Sequence, residues 1–424
     1  MNFPKYFYTL LFFGLFFSAC KTNIPTANPK SGSANFSNYI AIGNSLTAGY
    51  ADGGLYLEGQ LNSYPSMIAT QMQAVGNQGF IQPLFGMGQE NGSGYLKLLG
   101  FNADGTPQLG NVTNNLAIAG TATNGFTHQI QYLYTPYTSP IQNYGVPGIR
   151  LSDILTPGYG SPAGNPYFQR LLTPSEIYKT YQQKVLESNP TFFSSWLGNN
   201  DILGFTTSGG TVPITPPASF TGLYAQFLQA ITAKGAKGVL GTIPDVTVIP
   251  FLNTITVAQV RTLAKGAPLY IITGTGTERA ATNADLINLT TSGFGVPNSS
   301  GYPKGFDPRN PLLNSEVLDS GEVVQAKSAV LAYNNTITQL AASYHLALMD
   351  INGLLQKYQN GGVSNGVTLN LNYISGGIFS LDGVHLTPRG YALVANAYIL
   401  AINQQYGSTL STVNVSNYRG VKFP

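Results

Sequence analysis

Short apolar runs alternate along this chain with longer stretches in which apolar residues return every three or four positions. The runs are Tyr39–Gly43, Ile141–Val146, Thr191–Leu197, Gly238–Ile243 and Leu346–Ile351, each bounded by Gly, Pro or Asn. Unbroken apolar runs of this length suit strands covered on both faces, as in a parallel sheet. The intervening periodicity predicts helices over Ser63–Val75, with a cap-like Ser63 and an early Pro65, and over Thr173–Ser188, Ala218–Lys234, Gly321–Tyr344 and Thr387–Tyr406. In the longest of these, Val323, Ala326, Val330, Tyr333, Ile337 and Leu340 share one face. Strand, helix, strand in repetition predicts an α/β fold of three layers, α/β/α, around a central parallel sheet.

Two stretches break the alternation, at about 77–140 and 250–313. Both are rich in Gly, Asn and Thr and too long for plain connections, so they read as insertions on one core. In the first, "YLKLLGFNADGTPQLG" predicts a hairpin around Ala103, Asp104 and Gly105. The second holds a short predicted helix from Val257 to Lys265. Its "TGTGTER", Thr273 to Arg279, reads as a turn, because a dinucleotide loop would need a glycine where Arg279 stands.

The N-terminus has a different character. Lys5 precedes an apolar stretch from Tyr6 to Phe17, then come Ser18, Ala19 and Cys20. That is the layout of an export signal over residues 1–19, too short to span a bilayer. Cys20 is the single cysteine of the 424 residues, so it has no internal disulfide partner. "FFSAC" resembles a bacterial lipobox, with Phe17 in place of the usual leucine; the resemblance implies lipidation of Cys20 and attachment to the cell envelope, with the outer membrane the expected site. Residues 20–37, rich in Asn, Pro, Ser and Thr, are then expected to form a flexible tether, and 38–424 the folded domain.

Composition narrows the function. Only 9% of residues are charged and the net charge is +3, which argues against a nucleic-acid partner. Apolar residues at 43%, with 26 Tyr and 22 Phe, argue against disorder. Neither clustered cysteines nor a His-x-x-x-His pair is present, so neither a metal nor a cofactor is expected.

Ligands of parallel α/β sheets bind beyond the carboxyl ends of the strands. Ser45, in "AIGNSL", falls there, directly after the first strand. A serine at a strand end is commonly a cap or turn residue; one with a nearby base is a nucleophile. Three histidines are available. His345 ends the long helix, where a dipole contact is the default, and His128 lies in the first insertion. His385 stands three residues after Asp382 in "SLDGVHLTPRGY", close enough for the carboxylate to fix its tautomer.

These segments together resemble the SGNH/GDSL hydrolase family. "AIGNSL" is similar to its Gly-Asp-Ser-Leu block, "NYGVPGIRLSD" to the second block, "WLGNND" to the Gly-x-Asn-Asp block and "DGVH" to the closing Asp-x-x-His. The resemblance implies a flavodoxin-like sheet and a serine esterase acting on acyl lipids or O-acetylated glycans. It implies Ser45 as nucleophile, His385 as general base and Asp382 as its orienter. It implies an oxyanion hole from the N–H groups of Ser45 and Gly148 with the Asn200 amide. Asn44 departs from the family's aspartate, and the Ser45–Gly148 spacing exceeds that of compact members. The alternative function is a catalytically silent, lipid-anchored binding protein on the same fold, using its Tyr and Phe as a surface for glycans or lipids.

Overall fold

The computed structural model describes residues 28–424. Five parallel strands form its central sheet: β1 Tyr39–Gly43, β2 Asn143–Gly145, β3 Phe192–Trp196, β4 Lys237–Gly241 and β5 Ala347–Met349. Their spatial order is β2-β1-β3-β4-β5. Each of the five expected apolar runs coincides with one strand, β4 beginning one residue before its run, at Lys237. The registers pair Ala41 with Asn143, Gly43 with Trp196, Phe193 with Gly238 and Ala347 with Val239. All residues of β1 and β3 are buried, which is why they read as continuous rather than alternating apolar runs. The two polar members of β3 are satisfied: Ser194 hydrogen-bonds the Tyr39 hydroxyl at 2.8 Å and Ser195 that of Tyr224 at 3.3 Å.

Helices α1 Tyr64–Met72 and α4 Pro388–Tyr406 pack together on one face, and α2 Pro217–Thr232 and α3 Ser320–Ser343 on the other. The start of α3 is set by a reciprocal cap: Asp319 accepts from the Glu322 N–H at 3.1 Å while Glu322 accepts from the Asp319 N–H at 2.9 Å. Ser63, expected as a cap, instead donates its hydroxyl to Gln82 Oε1 at 2.9 Å. The helix expected over Thr173–Ser188 is broken into a turn at Pro174–Glu176 and a helix Tyr181–Leu186. Thr180 restarts the helix with its own cap to Gln183, and this aims Tyr181 into the core, where its hydroxyl donates to the Tyr144 carbonyl at 2.6 Å.

The first insertion forms two antiparallel hairpins, Tyr95–Phe101 with Pro107–Val112 and Ile118–Thr123 with Ile130–Tyr134. The second builds its own small core from Val257, Leu269, Ile271, Ile287 and Leu312, joined by Val317 just beyond it. Within it, the Thr273–Thr277 segment is the turn of a hairpin between Tyr270–Ile272 and Glu278–Ala280. Arg279 leaves that turn to pair with Asp285 at 2.6 Å.

Part of the expected tether belongs to the folded body. Ser33 donates its N–H to the Tyr406 carbonyl at 2.8 Å, and Phe36 is buried edge-on against Phe192 at 4.8 Å. Docking of Phe36 buries an aromatic ring that a solvated tether would expose, so the domain reaches at least to about Lys30 rather than starting at residue 38. The export segment 1–19 and Cys20 lie outside the described residues.

Candidate active site

The strand order reverses direction between β1 and β3, and a crevice opens there at the carboxyl ends of both strands. Ser45 leaves β1 into this crevice as the first residue of a four-residue helix, Ser45–Ala48. Asn44 caps that helix through its side-chain oxygen, which accepts from the Leu46 N–H at 3.0 Å. Two glycines let so short a helix settle onto the sheet. A Cβ on Gly43 would stand 2.1 Å from Thr47 Oγ1, and one on Gly145, in the neighbouring strand, 2.3 Å from the Ala48 nitrogen. The turn is therefore tight because two strand ends carry no side chain at the contact.

His385 Nε2 lies 2.8 Å from Ser45 Oγ, and His385 Nδ1 lies 2.8 Å from Asp382 Oδ2. With Nδ1–H donated to the carboxylate, Nε2 is left free to accept the serine proton. The loop carrying both residues folds back on itself. Asp382 Oδ1 accepts from the N–H groups of Val384 at 2.9 Å and His385 at 2.8 Å, and Ser380 donates its N–H to the His385 carbonyl at 2.8 Å. Burial alone would raise the Asp382 carboxyl, but the charge and hydrogen bond of His385, with these backbone donors, hold it well below the usual carboxylate range. The ring of Tyr50 covers His385, centroids 4.5 Å apart.

Across the crevice stand Gly148 and Asn200. Gly148 adopts φ +83°, and its N–H, like that of Ser45, has no hydrogen-bond partner among the described residues. Asn200 opens the helix Asn200–Thr207 and donates one amide N–H to the Ile149 carbonyl at 2.9 Å, leaving its second N–H uncommitted. Asp201, buried beside it, ties the two segments together. It accepts from the N–H groups of Leu151 at 2.6 Å and Ser152 at 3.3 Å and from the Thr215 hydroxyl at 2.7 Å. Burial outweighs these bonds and its carboxyl is pushed up to about 6. Ser45, Asn200 and His385 line one small crevice together with the buried Asn44 and Asn199. His128 and His345 are both exposed and take no part in it.

Sequence reasoning missed a second layer around Asp382. The Gly53 N–H donates to Asp382 Oδ2 at 2.8 Å. The buried Asp52 accepts from the Leu381 N–H at 3.0 Å and the Tyr56 hydroxyl at 2.7 Å, while its own N–H donates to Ser380 Oγ at 2.9 Å. Asp52 holds φ +53° and Gly53 φ +77°, so "ADGGL" is a left-handed turn folded over the loop that carries the histidine. The Asp-Gly-Gly signal marks a turn; nothing local says which distant loop it grips. Among the described residues no group of three or more His, Cys, Asp and Glu is placed to hold a metal ion.

The profile of the family described as GDSL-like Lipase/Acylhydrolase matches residues 39–398. Among solved structures the chain is similar to a lipase/acylhydrolase from Enterococcus faecalis, with 11% identity, coverage of 88% of this chain and 98% of that one, and a TM-score of 0.35. It is also similar to a GDSL-like lipase from Parabacteroides merdae (14%, 88% and 99%, TM-score 0.35) and to an acetyl xylan esterase from Geobacillus stearothermophilus (10%, 87% and 95%, TM-score 0.37). No curated protein sequence matches it. With the family profile spanning the whole sheet, from β1 into α4, this chain belongs to the GDSL lipase/acylhydrolase family and is an ester hydrolase.

Proposed function

We propose that the chain hydrolyses carboxylic esters through an acyl-enzyme on Ser45. His385 Nε2 takes the hydroxyl proton as Oγ attacks the carbonyl, and Asp382 holds the imidazole in the required tautomer and offsets the charge it gains. The carbonyl oxygen, now anionic, is received by the N–H groups of Ser45 and Gly148 and the free amide N–H of Asn200. His385 then gives the proton to the departing alcohol. Water, activated by the same imidazole, cleaves the acyl group from Ser45. The observation that carries this reading is the unbroken line from Asp382 through His385 to Ser45, with both links at 2.8 Å. Small-molecule or glycan esters are its substrates. The test is Ser45→Ala: p-nitrophenyl ester turnover should vanish while circular dichroism stays that of the parent, and retained turnover would remove Ser45 from the mechanism.

We also propose that Cys20 is lipidated and holds the enzyme at the bacterial envelope, with the outer membrane the expected site. The support is the sequence signal alone. Cys20→Ala should release the protein from membranes on fractionation, and a variant that stays bound would end the idea.

A further inference from the structure

A groove of about 600 Å³ lies between the two insertions, across the segment 246–250 from the catalytic crevice. Val246 and Ile249 face the crevice, Val248 and Pro250 face the groove, and the two spaces share no residue. The hairpin Tyr95–Phe101 with Pro107–Val112 supplies one wall, the start of the second insertion another and the loop 371–375 a third. In that loop Ile374 takes φ +62°, which β-branched residues rarely adopt, and burial of its side chain against Leu98 and Leu381 holds it there. The groove is therefore formed before anything enters it, which lowers the cost of binding. Two of its walls also hold the histidine loop. Tyr373 donates its hydroxyl to the Leu381 carbonyl at 2.5 Å, and the Phe251 N–H donates to the Gly383 carbonyl at 2.9 Å, on either side of Asp382.

No charged side chain lines the groove. Phe101 and Phe423 are 49% and 57% exposed in it, with ring centroids 6.4 Å apart and planes inclined by 31°, and Tyr373 adds a third ring. Four side-chain amides stand among these rings. Those of Gln359 and Asn372 make no hydrogen bond among the described residues, Gln259 commits Oε1 to the cap of its helix and leaves Nε2 free, and Asn253 commits Nδ2 and leaves Oδ1 free. Nothing here matches the charge of a phosphate or an acidic peptide, and an alkyl chain would strip water from the amides without replacing it. A neutral sugar chain satisfies both parts: its C–H faces lie on the rings, and each hydroxyl donates to one amide and accepts from another. We propose that the groove binds a neutral oligosaccharide at a site separate from the crevice, and holds a polymeric glycan while the crevice acts on an ester of it. Binding needs no catalysis, whereas the holding role rests on Ser45 as the nucleophile.

Calorimetric titration of the full chain carrying Ser45→Ala with unacetylated xylohexaose, cellohexaose, mannohexaose and chitohexaose reads the groove without turnover. At least one of these should bind with a Kd of about 1 mM or tighter, and Phe101→Ala and Phe423→Ala, added singly, should each weaken it about fivefold or more. Should one variant fail to fold, the other carries the test, since both rings lie at the surface. With Ser45 restored, kcat/KM on a partially acetylated form of the sugar that binds, taken relative to that on p-nitrophenyl acetate, should fall by a similar factor in the same variants. A ratio that does not fall would overturn the holding role. Failure of all four sugars to bind, or binding that both variants leave unchanged, would overturn the proposal, as would binding of a proline-rich decapeptide in place of the sugars. Binding that the variants weaken, with no ester turned over, would support the groove as a sugar site and overturn the holding role together with Ser45 as nucleophile.

Discussion

The two sides of the crevice are held in the same way by different means. On the histidine side, the loop bearing Asp382 and His385 is gripped by Asp52, a buried carboxylate that accepts the Leu381 N–H. On the glycine side, the loop bearing Gly148 is gripped by Asp201, which accepts the N–H groups of Leu151 and Ser152. Each loop must present a group to one reacting atom, and backbone flexibility would blur that presentation. A buried carboxylate that collects backbone N–H groups is a strong anchor, because leaving those donors unpaired costs about 1–3 kcal/mol each. Asp201 sits beside the residue it serves and lies in the motif; Asp52 serves a loop at the far end of the chain.

Breaking the histidine side at its center should have the largest effect. Asp382→Asn keeps the shape but disfavours the tautomer that offers Nε2 as a base, and kcat should fall by about 10⁴. A loss under about tenfold would show that His385 needs no carboxylate. The glycine side should cost less, since it loses one donor of three: Asn200→Ala should lower kcat by about 10²–10³. An unchanged rate would mean that another donor receives the oxyanion. The anchors come next. Asp52→Asn tolerates the left-handed turn but cannot accept from both Leu381 N–H and Tyr56 O–H, so kcat should drop by about ten- to a hundredfold with KM little altered. Equal changes in both constants would place Asp52 in substrate binding instead.

Asp201 should move the rate least and the pH dependence of stability most. Its carboxyl is pushed up to about 6 in the fold against an unfolded value near 4, so the folded chain holds the proton more tightly. The stabilisation this gives is full below about pH 4 and is lost as pH rises through about 6. A difference of that size corresponds to roughly 3 kcal/mol. Denaturant unfolding of the parent and of Asp201→Asn should therefore show the parent's advantage shrinking between pH 4 and pH 7. A gap that is the same at both pH values would contradict the assignment.

Much of this arrangement is legible in the chain. The five strands announce themselves because both faces are covered, and the short list of histidines leaves His385 as the one beside an aspartate and before a helix. What escapes is long-range or disguised. Asp52 and Leu381 are separated by 329 positions, and no local pattern records that contact. The helix Ile351–Gln359 follows β5 at once, capped by Asp350, so its first residue reads as the end of the strand. The break in Thr173–Ser188 reflects the pull of a buried Tyr181, a tertiary demand that periodicity does not see. The docking of Phe36 is invisible for the same reason, since a polar, proline-rich surrounding hides a single core residue.

The most direct measurement is the rate of fluorophosphonate labelling, with the modified residue located by mass spectrometry, in the parent and in His385→Ala. We expect rapid, single-site modification at Ser45 in the parent and a rate lowered by at least about a thousandfold in the variant. Label on any other residue, or equal rates in the two proteins, would contradict a serine activated by this histidine.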